Sequence, residues 1–136
     1  MTYFLDTDAC IFILRGKTPS IKSWFEKLTP DQIKISAVVK AELLVGAQKS
    51  RDPQRTSPIV EMFLSPFEIV PFDDSACPIY SKIRHELERK GNSIGPHDLL
   101  IAATALSHDG ILVTHNVREY RRIPDLKIQA LDAMAS

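Results

Sequence analysis

The sequence predicts an α/β fold, a central and mostly parallel sheet of four to five strands flanked by helices, forming a single domain over residues 1–136. Three observations predict it. Short β-prone runs at 2–5, 32–35, 68–72, 111–114 and 127–130 alternate with helical patterns along the chain, the order in which successive strands pair in parallel beneath covering helices. Residues 95–106 are apolar on almost every side of a helix, so the fold encloses them. With 136 residues, 44% hydrophobic and 25% charged, the chain has material for one substantial core but not for a catalytic domain plus a separate substrate domain.

The elements follow in order. The first strand ends at Asp6, and Ala9 to Leu14 continue as a short apolar helix stopped near Gly16. A helix over 19–28 places Ile21, Trp24, Phe25 and Leu28 on one stripe, which is core or partner surface. After the second strand, Ser36 caps a helix carrying Val38, Val39, Leu43 and Val45 to about Lys49. Residues 50–58 are polar with two prolines and read as a loop or flexible helix start, with the look of a mobile flap, before Ile59, Val60, Phe63 and Leu64. The third strand closes at Asp73-Asp74-Ser75, which begins a long helix with Ala76, Ile79, Tyr80, Ile83 and Leu87 on one face. Gly91-Asn92 ends that helix, the 95–106 helix follows, and His108-Asp109-Gly110 turns into the fourth strand. Pro124 and Asp125 make a turn before a last edge strand.

Composition narrows the function. Equal numbers of basic and acidic residues, 17 of each, give no general attraction for nucleic acid or a membrane surface. A polyanion would need a local patch such as Lys49 and Arg51, Arg84 with Arg89 and Lys90, or Arg118 with Arg121 and Arg122. The start lacks a basic region followed by a long apolar run, and no stretch is long and apolar enough to span a bilayer, so the expectation is a cytoplasmic protein without membrane contact. Cys10 and Cys77 form no metal-spaced pair and read as buried small hydrophobes.

Four carboxylates stand out by their surroundings. Asp6 leaves a strand at its carboxyl end, where ligands of parallel sheets bind. Glu42 has Val38, Val39, Val45 and Gly46 at helical spacing, so no ion pair within its helix is available; the bland alternative is a solvated glutamate. Asp98 sits in the first turn behind Pro96 with Ile94, Gly95, Ile101 and Ala102 around it; the alternative is simple complementation of the helix dipole. Glu119 follows the fourth strand, with a salt bridge to Arg122 as its alternative. Several carboxylates brought together repel unless a cation neutralises them. All-oxygen donors favour Mg²⁺, with Mn²⁺ a plausible substitute, and such an ion supports phosphodiester hydrolysis.

In order and spacing, the strand ending Asp6-Thr7, the run Ser36-Ala37-Val38-Val39-Lys40-Ala41-Glu42, His97-Asp98-Leu99-Leu100-Ile101-Ala102-Ala103 and Leu112-Val113-Thr114-His115-Asn116-Val117-Arg118-Glu119-Tyr120 resemble a PIN domain. More narrowly they resemble the VapC ribonuclease toxins of bacterial VapBC modules, over about residues 1–131. The resemblance implies a PIN-like three-layer sandwich and a Mg²⁺-dependent endoribonuclease site built from the acids matching Asp6, Glu42, Asp98 and Glu119. Thr7, Thr114 and Asn116 support that site. It also implies a VapB-type antitoxin, a homodimer within a hetero-oligomer, and RNA as substrate, the members closest in pattern acting on the anticodon loop of initiator tRNA. Many PIN domains carry aspartate where this chain has Asn116, which leaves the fourth corner less acidic and a second ion more weakly held. Two other readings stand beside this one. Asp6-Thr7-Asp8 also resembles the start of haloacid-dehalogenase phosphatases, with Asp6 as nucleophile, although Cys10 does not fit that motif. A catalytically silent binding domain using the Trp24-Phe25 stripe is the other.

Overall fold

The computed structural model describes residues 1–131; positions 132–136 of the expected domain lie outside the described residues. Strands β1 (Tyr3–Leu5), β2 (Ile33–Ser36), β3 (Glu68–Val70), β4 (Ile111–Thr114) and β5 (Lys127–Ala130) form one sheet in the order β3-β2-β1-β4-β5. Every pairing is parallel, with Tyr3 opposite both Ile33 and Ile111, and Leu5 opposite Val113. From β1 the chain winds outward through β2 to β3, then returns to lay β4 on the other side of β1. The strand order therefore reverses between β1 and β4, and the crevice beyond their carboxyl ends is where such sheets bind ligands.

Among the described residues, seven α-helices and a 3-10 turn at Pro30–Gln32 connect the strands: α1 (Thr7–Arg15), α2 (Pro19–Glu26), α3 (Ala37–Gln48), α4 (Pro53–Leu64), α5 (Cys77–Arg89), α6 (Pro96–Ser107) and α7 (Val117–Tyr120). Local chemistry sets their ends. Asp6 caps α1 by accepting from the Ala9 N–H, and Gly16 ends it in the left-handed region at φ 61°. Ser36 both closes β2 and caps α3 by accepting from the Val39 N–H. The core is the sheet's inner rows, Phe4, Leu5, Ile35, Leu112 and Val113, packed under Val39 and Ile101, all nearly or wholly inaccessible to solvent. As its composition demands, α6 is enclosed along Ile101 to Ala105.

Gly110, at the end of β4 away from the crevice, has no room for a side chain. A Cβ there would meet Phe4 Cδ1 at 2.4 Å and Cε1 at 2.6 Å. The Phe4 ring thus fills the space over the turn that starts β4.

Several expectations are corrected. Residues 53–58 are not a flap but the first half of α4. Pro53 suits the helix start, and the Arg55 and Thr56 N–H groups close the first turn on the Asp52 carbonyl. Val60 and Leu64 then bury the helix against α3, and that packing outweighs the hydrogen bond lost at the internal Pro58. Asp73-Asp74-Ser75 is a turn rather than a helix start: Asp73 accepts from both the N–H and hydroxyl of Ser75, and α5 begins at Cys77, which is exposed rather than buried. The Trp24-Phe25 stripe is half-buried inside the chain. Trp24 meets Tyr3 edge-on at 5.3 Å, and Phe25 joins Phe63 and Phe67 in an aromatic cluster. Exposed apolar side chains include Ile59 and Met62 on α4, beside Leu14 and Phe63.

Candidate active site

Asp6 is the first residue past β1 and lies in the crevice that the strand order creates. Its backbone N–H continues the ladder to the Val113 carbonyl at 3.1 Å. Its side chain is only 5% exposed. One carboxylate oxygen accepts from the Ala9 N–H at 2.8 Å, and the other accepts from the Thr114 hydroxyl at the end of β4. Burial pushes its pKa up to about 6, against the pull of those two hydrogen bonds, and the charges of Asp8 and Asp98 add to the rise. The Thr114 oxygen also accepts from the Asn116 N–H at 2.9 Å, so it ties the chain leaving β4 to the acid leaving β1.

Glu42 reaches the same crevice from α3. Its Oε1 accepts from the Thr7 hydroxyl at 2.7 Å, and its Oε2 lies 3.4 Å from Nδ1 of His97 at the start of α6. Asp98, in the first turn of α6, faces them. Its pKa is raised mainly by burial and further by the charges of Glu119, Glu42 and Asp8, while the neighbouring Tyr120 hydroxyl lowers it. These side chains enclose a cleft of about 230 Å³ lined by Asp6, Thr7, Asp8, Glu42, Asp98, Asn116 and Tyr120. Among the described residues, no lysine or arginine lines it.

Of the expected residues, Asp6, Glu42, Asp98, Thr7 and Asn116 come together on this cleft. Thr114 stands directly behind Asp6. Glu119 is set back from the lining: its Oε2 accepts from Asn116 Nδ2 at 3.0 Å, so it holds the amide that does face the cleft. The guanidinium of Arg122, offered by the sequence as its partner, donates to the Ser93 carbonyl at 3.1 Å. Two lining residues were not among the expected set. Asp8 lies two positions past Asp6 in the first turn of α1, where a second acid faces the same helix mouth. Tyr120 arrives through α7, a helix too short to leave a periodic signal.

The chemistry of this donor set suits a hard divalent cation: oxygen atoms only, two acids with raised pKa values, and no cationic side chain to balance them. Among the described residues, no three Asp, Glu, His or Cys side chains stand close enough to grip an ion as they are. Their oxygens are engaged by Ala9, Thr114, Thr7 and Asn116. A bound cation would have to draw Asp98 and Glu42 inward. The phosphatase alternative fares worse, since both Asp6 oxygens are buried and bonded and the later acidic pair that such a site would draw on, Asp73-Asp74, lies on an exposed turn.

Comparison with known proteins agrees with this geometry. A PIN domain family model matches residues 3–126. The tRNA(fMet)-specific endonuclease VapC of Salmonella typhimurium is 39% identical over 129 residues, covering 95% of this chain and 97% of that protein. Ribonuclease VapC2 of Rickettsia felis is 38% identical, covering 97% and 99%. Among solved structures, DNA-bound VapBC from Salmonella typhimurium superimposes with a TM-score of 0.89 at 38% identity, covering 96% of this chain and 98% of that one. VapBC2 from Rickettsia felis, bound to a DNA fragment from its promoter, gives 0.87 at 36% identity with the same coverage. With the fold, the strand order and near full-length relatives in agreement, the chain belongs to the PIN domain family, among its VapC ribonucleases.

Proposed function

We propose that this chain is the toxin of a VapBC-type module, a metal-dependent endoribonuclease whose site is the cleft of Asp6, Glu42 and Asp98. The observation that carries the reading is the convergence of three acids, from the end of β1, the middle of α3 and the first turn of α6, on one cleft that no lysine or arginine among the described residues lines. Asp6, Asp98 and Glu42 would hold Mg²⁺ or Mn²⁺, with Glu119 completing the set through Asn116 or by direct contact. When bound, the ion supplies charge stabilisation at the phosphoryl group and lowers the pKa of attacking water. The chain's own part is to fix the acids. Thr114 and the α1 amide aim Asp6, Thr7 aims Glu42, and the α6 mouth holds Asp98.

Initiator tRNA is the proposed substrate, supported by the specificity in the name of the Salmonella relative. The exposed Arg118 and Arg121, on and just after α7, offer phosphate contacts beside Asn116. The proposed partner is a VapB-type antitoxin, with toxin subunits paired in a hetero-oligomer. Exposed Ile59 and Met62, around an apolar cleft with Leu14, Pro58 and Phe63, support a further chain packing there. Among the described residues no helix is long and apolar enough to cross a membrane.

The test is cleavage of purified initiator tRNA and total RNA with Mg²⁺ and with EDTA, with the new RNA ends sequenced. The expected result is a small set of cut sites that vanish in EDTA; equal cutting in EDTA would overturn the metal mechanism.

A further inference from the structure

The side-chain hydrogen-bond donors around the cleft can be accounted for one by one. Thr7 donates to Glu42, Thr114 to Asp6, and Asn116 to Glu119. The Tyr120 hydroxyl is left over. Tyr120 is 1% exposed, its hydroxyl is buried, and it makes no hydrogen bond of acceptable geometry, although it lines the cleft beside Asp98. A buried hydroxyl without a partner is costly, and native structures retain few of them. The two groups nonetheless face each other closely: the hydroxyl pulls the Asp98 pKa down, and after burial the Asp98 charge is the next cause of the raised pKa of the phenol, an approach one small shift short of a well-formed bond.

We propose that Tyr120 is a positioning residue for Asp98, its hydroxyl donating to that carboxylate when a divalent cation occupies the cleft. The inference rests on the metal-site reading above. Asp98 would have to move to join Asp6 and Glu42 on an ion, and a carboxylate that holds a cation is ordinarily held in turn by a donor behind it. Asp6 already has two donors and Glu42 has one. Asp98 lacks a well-formed side-chain donor, and the one unspent donor lies next to it. The Tyr120 hydroxyl is thus the donor available to hold Asp98 on an ion.

Tyr120→Phe separates this role from core packing, because the ring stays and only the oxygen goes. The experiment titrates the full chain, wild type and variant, with Mn²⁺, following free Mn²⁺ by electron paramagnetic resonance, and records metal-free thermal unfolding of both. The expected result is Mn²⁺ affinity weakened by about 10-fold with a metal-free melting temperature equal to or above that of wild type. Affinity changed by less than about threefold would overturn the proposal, as would a fall in the metal-free melting temperature, the mark of a hydroxyl that serves the core. If the wild type itself takes up no Mn²⁺, the metal-site reading fails first, and the proposal with it.

Discussion

The Thr114 hydroxyl donates to the Asp6 carboxylate across 108 positions of sequence, joining the carboxyl ends of the two central strands. The residue with most at stake in the proposed chemistry is therefore also a clamp in the fold, and its charge and its hydrogen bonds act on stability in opposite directions.

That opposition predicts the behaviour of Asp6→Asn in metal-free protein. The folded pKa of Asp6 lies above its ordinary value of 3.8, at about 6, so the folded state binds the proton more tightly than the unfolded state. The Asp6 contribution is thus most favourable below about pH 4 and is lost as pH rises through 6. At neutral pH the ionised group costs the fold about 2 to 3 kcal/mol. Asparagine keeps an acceptor for the Ala9 N–H and an amide for the Thr114 oxygen while removing the charge. In EDTA, thermal scans should show Asp6→Asn melting roughly 5 °C or more above wild type at pH 7.5, the gap closing by pH 4. RNA cleavage should be lost at every Mg²⁺ concentration.

Glu42→Gln should leave the fold intact, because the glutamine oxygen can still accept from Thr7. Removing the charge should lower cleavage by about 100-fold or more. Melting temperatures of the two proteins, alongside single-turnover cleavage rates, check both halves; an unchanged rate would return Glu42 to an ordinary solvated acid.

Glu119 stands behind Asn116 rather than on the cleft, so its loss should weaken metal binding before it harms chemistry. Glu119→Gln should raise the Mg²⁺ needed for half-maximal cleavage by about 10-fold while some activity survives at saturation. A metal titration superimposing on the wild type would remove Glu119 from the site.

Gly110→Ala puts a methyl group 2.4 Å from the Phe4 ring, and Phe4 is buried in the core with no open side to yield into. The variant should lose about 1 to 3 kcal/mol, read as a lower urea midpoint.

Much of this was legible in the sequence because each signal was local. The five strands stood out as short β-prone runs, Asp6 by its place at a strand's carboxyl end, and Glu42 and Asp98 because nothing at helical spacing could neutralise them. What escaped depended on tertiary context. Pro58 argued for a loop, yet burial of Val60 and Leu64 carried the helix through it. The four-residue α7 leaves no period to detect, so neither the retreat of Glu119 nor the arrival of Tyr120 could be read. Trp24 and Phe25 formed a stripe that could be core or partner surface, and only the fold decides: Tyr3, Phe63 and Phe67 within the same chain cover much of it.

Because the strand order reverses between β1 and β4, the cleft draws Asp6 and Glu42 from the first half of the chain and Asp98, Asn116 and Tyr120 from the second. A nascent chain that has emerged only as far as α5 lacks Asp98, and lacks the strand whose Thr114 aims Asp6. On the proposed site, activity therefore waits until synthesis is nearly finished.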